Sequence, residues 1–506
     1  GSSTGTMTLS GHTGSVQKWQ KRVDGGAWVD IANTNTTYSE VPSSAGTWEY
    51  RAEVKSGSCS SAFSAARTIV VNPTSVGGTL SGGSTPICYG SSTGVMTLTG
   101  YTGSIIRWEK MVNGGSWSNI ANTNPTYSET PSSAGTWDYR VRVQSGACAA
   151  VYSTIRTIVV DPTTVGGSIS GGATPICIGS STGTMTLSGH TGIVVRWEKR
   201  VNAGGWINIA NTNTTYSETP SSAGTWEYRA LVQSGVCASA YSAIRTIVVS
   251  PASVGGTLSG GTSPICQGSN TGVMTVSGYT GTITRWEKRV NAGTWQNIAN
   301  TNPTYSEIPS SAGTWEYRVL VTSSPCAGAY SNTVTIVVDP TSVGGSVTGG
   351  STPICIGSST GTMTLSGHTG SVQKWQKRVN SGTWVDIANT NTTYSEVSSS
   401  AGTWEYRAEV KSGSCASAFS AARTIIVDPA SVGGTISGGS TPICYGVNTG
   451  VMTLSGHTGS VIRWEKRVDG GTWQNIATTS TTYSEIPSSS GTWDYRALVQ
   501  SGTCPA

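Results

Sequence analysis

The residues of this chain that could do chemistry are its eleven cysteines, four histidines, eighteen tryptophans and a few repeated carboxylates. The cysteines are the most regular. Cys88/Cys148, Cys177/Cys237, Cys266/Cys326, Cys355/Cys415 and Cys444/Cys504 each stand 60 residues apart, and the pairs recur every 89 residues. Cys59 joins the series if its mate falls two positions before Gly1. With every cysteine so mated, the pattern reads as one structural disulfide per repeat in an oxidising, extracellular compartment. Closing a 60-residue loop is expected to contribute about 4 kcal/mol on a chain-entropy model. Zinc is disfavoured, because there is no Cys-x-x-Cys and no paired His.

The histidines and carboxylates are weaker candidates. His12, His190, His368 and His457 share one repeat position, where Tyr101 and Tyr279 stand in the other two repeats. A catalytic base or metal ligand does not alternate with tyrosine; an exposed turn residue does. Glu109 and Glu129 could be written as an acid–base pair, but copies recur beside Lys110 and near Tyr127 and read as solvated strand-edge charges. No phosphate loop or calcium loop is present. The expectation is a chain without catalytic residues, metal or cofactor.

Tryptophan occurs three times per repeat. The third copy follows a glycine-rich turn, at Trp28, Trp117, Trp206, Trp295, Trp384 and Trp473. These six are the candidate ligand-facing residues, able to stack on a sugar or to pack on a neighbouring strand or domain. The nearby Asn33–Thr37 segment is polar and holds a glycosylation sequon at Asn35, but Pro125 and Pro303 destroy the equivalent ones. Glycosylation there is not a structural requirement.

What positions these residues is the 89-residue period, too long for a helical solenoid unit and long enough for a small domain with its own core. The expected domains are 1–73, 74–162, 163–251, 252–340, 341–429 and 430–506. They meet at Asn72-Pro73, Asp161-Pro162, Ser250-Pro251, Asp339-Pro340 and Asp428-Pro429, where each proline ends a strand. Joints of about five residues are too short to be tethers, so neighbours should touch. Gly1 aligns with Gly90 and Ala506 with Ala150, so the first repeat lacks its opening strand and the last its closing one. The sequence reads as a window on a longer repetitive chain.

Inside a repeat the periodicity is that of strands. Met96 and Leu98 alternate with threonines, Asn113-Gly114-Gly115 marks a tight hairpin, and Trp137, Tyr139, Val141 and Val143 alternate with polar residues. About seven short strands in 89 residues predict an all-β sandwich. Charged residues are only 11% and the net charge of +5 is spread over the repeats, which argues against a nucleic-acid partner. No apolar run is long enough for a transmembrane segment.

The run Ser133-Ala134-Gly135-Thr136-Trp137-Asp138-Tyr139 resembles the corner before strand F of immunoglobulin-like domains. Trp137 stands for the corner tyrosine, and Tyr139 for the second cysteine that bridges the sheets of antibody domains. Trp108, twelve residues after Met96, resembles the core tryptophan of strand C. The resemblance implies a disulfide moved outward, from the segment before strand B to the loop after strand F, as in bacterial immunoglobulin-like repeats. The whole chain resembles the repeat arrays of giant Bacteroidota surface adhesins, including gliding-motility adhesins exported by type IX secretion. That implies a non-enzymatic, extracellular, cell-surface-attached rod whose partners are surface or substratum glycans and proteins. Lateral self-association into a filament, and a carbohydrate-binding module using exposed Trp, are the alternatives.

Overall fold

The computed structural model describes all 506 residues and contains strands and turns but no helix. Two compact units, Gly1–Ser250 and Pro251–Ala506, each hold three repeats. Repeat 74–162 shows the plan. Its strands are β1 (Thr79–Gly82), β2 (Ile87–Cys88), β3 (Met96–Thr99), β4 (Ser104–Val112), β5 (Ser118–Ile120), β6 (Thr126–Tyr127), β7 (Gly135–Gln144), β8 (Val151–Tyr152) and β9 (Arg156–Asp161). The same labels serve for the other repeats.

One sheet has the order β6-β3-β1; the other runs β5-β4-β7-β9-β2, with β8 also on β7. All pairings are antiparallel except β2 on β9, where Ile87 lies beside Val160 and Cys88 beside Asp161 in parallel. Two antiparallel sheets with this split opening strand form an immunoglobulin-like sandwich. Repeat 1–73 begins at its β3 counterpart, Met7–Thr8, and repeat 430–506 ends at its β7 counterpart, Trp493–Gln500.

The core follows from the period-two pattern. Trp137, Tyr139, Val141 and Val143 point inward from β7, against Trp108 of β4, Met96 and Leu98 of β3 and Ile158 of β9. Aromatic area replaces phenylalanine, of which the chain has two. The polar ends of the rings are satisfied: Trp108 Nε1 donates to Asn124 O at 2.9 Å and Trp137 Nε1 to Ser133 O at 3.0 Å. At the β4–β5 hairpin Asn113 and Gly114 have φ of 49° and 69°, as a type I′ turn requires. The Asn113 side chain also accepts the Thr136 N–H at 2.8 Å, tying the hairpin to the start of β7.

Candidate functional site

The cysteine pairing expected within a repeat is not the one the fold makes. Cys88 bonds to Cys237, Cys266 to Cys415 and Cys355 to Cys504, each across 149 residues and each between successive repeats. Cys177 and Cys326 are also disulfide-bonded. The physical reason lies in strand register. Ile87, Val160 and Gly135 stand side by side at one pole of the sandwich. Cys148 follows the far end of β7, ten residues long, about 30 Å away at 3.3 Å per residue. Cys88 and Cys148 of one repeat therefore cannot meet, and the same holds for the other 60-residue pairs. Cys59, Cys148 and Cys444 are free.

The bond sits against the joint. Cys237 Sγ lies 3.3 Å from Pro162 O, Cys415 Sγ 3.2 Å from Pro340 O and Cys504 Sγ 3.2 Å from Pro429 O. The aspartate before each of these prolines reaches the same β7–β8 turn of the following repeat. Asp161 Oδ2 accepts the Val236 N–H at 2.9 Å, Asp339 Oδ2 that of Ser414 at 2.7 Å and Asp428 Oδ2 that of Thr503 at 2.9 Å. The Ser414 and Thr503 hydroxyls add bonds of 2.9 and 3.1 Å. The turn glycine makes room: Gly235, Gly413 and Gly502 have φ of 46–48°, and a Cβ on any of them would collide with the aspartate carboxylate. Each such joint is thus held by a peptide bond, a disulfide and a charge-assisted hydrogen bond. Sequence reasoning marked the prolines and missed these acids and glycines. Their signal was an Asp-Pro recurring with a Gly-x-Cys some 74–76 residues later.

The third Trp of each repeat is half-buried. In repeat 163–251 two guanidinium groups lie over Trp206, Arg200 at 4.6 Å and Arg229 at 4.0 Å, and Arg229 also covers Tyr241 at 3.6 Å. Trp28, Trp295, Trp384 and Trp473 are covered by two arginines in the same way, and Trp117, with Met111 in place of one of them, by Arg140. Beneath this stack lies a carboxylate that the sequence reading placed in solvent. Glu109 is 2% exposed and salt-bridged to Arg107 and Arg140 at 2.7 Å each. Glu198 and Glu287 repeat the arrangement with Arg196/Arg229 and Arg285/Arg318. Burial by itself would raise the carboxyl pKa of these three glutamates. The hydrogen bonds and charges of the paired arginines outweigh it and hold the groups below the ordinary carboxylate value.

Glu129, the other member of the supposed pair, is also part-buried and serves a separate cluster. It takes the Lys110 ammonium at 2.5 Å and the hydroxyl of buried Tyr139 at 2.9 Å. Burial and Glu129 together push the Tyr139 hydroxyl pKa well up, and that of Tyr127 to about 12. Each glutamate is consumed by its own cations, which leaves no acid–base pair. The histidines, expected as exposed turn residues, are half-buried with Nδ1 shielded and unpartnered. Tyr101 and Tyr279 at the same position pack against the core, which is why the position takes a flat ring.

Each repeat is therefore an immunoglobulin-like β-sandwich module, a fold typical of non-catalytic structural domains. Its polar clusters serve packing and joining. A family model, Domain of unknown function (DUF8696), matches residues 1–73, 76–162, 165–251, 254–340, 343–429 and 432–506. The chain belongs to that family. Among solved structures it is similar to the chicken CNTN1 FN1–FN3 domains, at 13% identity and a TM-score of 0.22, covering 53% of this chain and 99% of that one. No curated protein matches. No helix is long and apolar enough to cross a membrane.

Proposed function

We propose that this chain is a stretch of the stalk of a giant extracellular, cell-surface-attached adhesin, a non-enzymatic spacer serving surface adhesion or gliding. The observation that carries the reading is the disulfide at the joints. A bond between successive domains, formed beside the joint and reinforced by an aspartate, fixes the relation of one domain to the next. A spacer needs that; a binding module does not. The domains of the stalk are the repeats 1–73, 74–162, 163–251, 252–340, 341–429 and 430–506. The disulfides support an extracellular setting, since such bonds persist in oxidising compartments. The third-Trp row belongs to the sandwich surface, where arginines occupy the rings that a sugar would need.

Antibody against the repeats, applied to intact cells of the source organism and imaged with gold label, tests the assignment. Label standing off the envelope, with the cysteines oxidised in the extracted chain, is the expected result. Label only in permeabilised cells, or a chain extracted with all thiols free, would refute it.

A further inference from the structure

We infer that repeat 341–429 is a nearly inextensible link, because its disulfides divert tension away from most of its fold. The inference rests on covalent connectivity and on no adhesive role. At one pole, Cys415 is bonded to Cys266 of the preceding repeat and lies 3.2 Å from Pro340 O. At the other, Cys355 is bonded to Cys504 of the following repeat and lies beside Asp428 in the parallel β2–β9 pairing. Three covalent routes therefore connect the two poles. The first runs fifteen residues, from Pro340 through β1 to Cys355. The second runs thirteen, from Cys415 through β9 to Asp428. The third is the 60-residue stretch from Cys355 to Cys415, holding β3 to β7 and two-thirds of the buried core residues.

Parallel routes share tension only until the shortest is taut. Thirteen residues reach about 45 Å and fifteen about 50 Å when fully extended at roughly 3.3–3.6 Å each. The folded repeat is about 30–40 Å long, set by its ten-residue β7 and the polar turns at its ends. Tension can thus lengthen this repeat by only about 5–15 Å even if its core melts, because the 60-residue route stays slack. With the disulfides reduced, the whole 89-residue repeat lies on the load path and releases about 270 Å. The bonds that the sequence suggested as staples for single cores instead bypass the core.

Single-molecule stretching of the full 506-residue chain, tethered by tags at its two ends, tests this. The oxidised chain should show fewer unfolding steps of about 270 Å than the same chain in reductant. Substituting Cys355→Ser and Cys415→Ser together should restore the long step of this repeat under oxidising conditions. Equal numbers of long steps with and without reductant would overturn the inference, as would a double variant that steps like the oxidised parent. Folding of the variant is checked by the near-ultraviolet signal of Trp375 and Trp404, both in the core. If surface labelling of cells failed while the long steps vanished on oxidation, the stalk assignment would fall and the load path would stand.

Discussion

The joint between repeats 252–340 and 341–429 offers the sharpest energetic test, through Gly413→Ala. Gly413 has a φ of 48°, and the added Cβ would fall on the Asp339 carboxylate. A left-handed residue carrying a Cβ costs about 1–2 kcal/mol. Displacing the carboxylate sacrifices its bonds from the Ser414 N–H at 2.7 Å and the Ser414 hydroxyl at 2.9 Å. Hydrogen bonds to a charged group contribute about 1.5–3 kcal/mol. Together the substitution should cost about 3–4 kcal/mol at the joint, which is a rise of roughly 100- to 1,000-fold in the local opening equilibrium. Native-state hydrogen exchange at the Ser414 amide reads that opening directly, whereas a global melt of six linked domains would blur it. The control is Asp339→Ala. With the carboxylate gone, Gly413→Ala should cost only the backbone contribution, leaving a coupling of about 2 kcal/mol in the double-mutant cycle. Additive effects within about 0.5 kcal/mol would show that the glycine and aspartate do not act on one another.

The other predictions concern the acid side, the tryptophan stack and the covalent path. Glu109, Glu198 and Glu287 have carboxyl groups held below their ordinary value in the folded chain. Their stabilisation is full above the unfolded value near pH 4.5 and is lost as pH falls through the depressed folded value. Thermal midpoints should therefore drop below about pH 4.5, and replacing the three by Gln, the residue present at Gln20 and Gln376, should flatten that drop. A steeper drop in the variant would contradict the sign. Trp206→Ala uncovers Arg200 and Arg229 and should destabilise its repeat by about 1–2 kcal/mol without changing binding to a glycan panel; lost binding with unchanged stability would restore the sugar-platform reading. A single protease cut in the Asn380–Gly382 hairpin should leave a band of unchanged mass on a non-reducing denaturing gel and two fragments after reduction. Separation without reductant would exclude the Cys266–Cys415 and Cys355–Cys504 bonds together.

What could be read from the sequence and what could not divides along the range of the interactions. The strands, the I′ hairpin at Asn113 and the inward set of β7 depend on residues one or two apart, and period-two alternation displays them directly. Trp137 was recognisable as core for the same reason, and Trp108 by its resemblance to the strand C tryptophan of immunoglobulin-like domains. Cysteine pairing was not recognisable, because in a strictly periodic chain the spacing carries no unique answer. Cys88 stands 29 residues from Cys59, 60 from Cys148 and 149 from Cys237. Only the register of β2 beside β9 shows which pole it occupies. The burial of Glu109 was hidden likewise: its partner Arg140 lies 31 residues on, and the two meet only where β4 pairs with β7.

A bond between repeats also constrains how such a chain can lengthen. An internal disulfide would make each domain self-sufficient and leave every joint free. In the observed arrangement a repeat brings one cysteine in β2 for its successor and one in the β7–β8 turn for its predecessor, and alone it would carry two free thiols. A new copy closes its bonds only if inserted as a whole number of periods, with both half-joints intact. The near-identity of 1–71 and 357–427, four whole periods apart, fits that kind of duplication. Positions off the joint can drift, as the exchange of His190 for Tyr279 does. The paired cysteines cannot drift singly, because each substitution would unpair a thiol in the neighbouring domain as well.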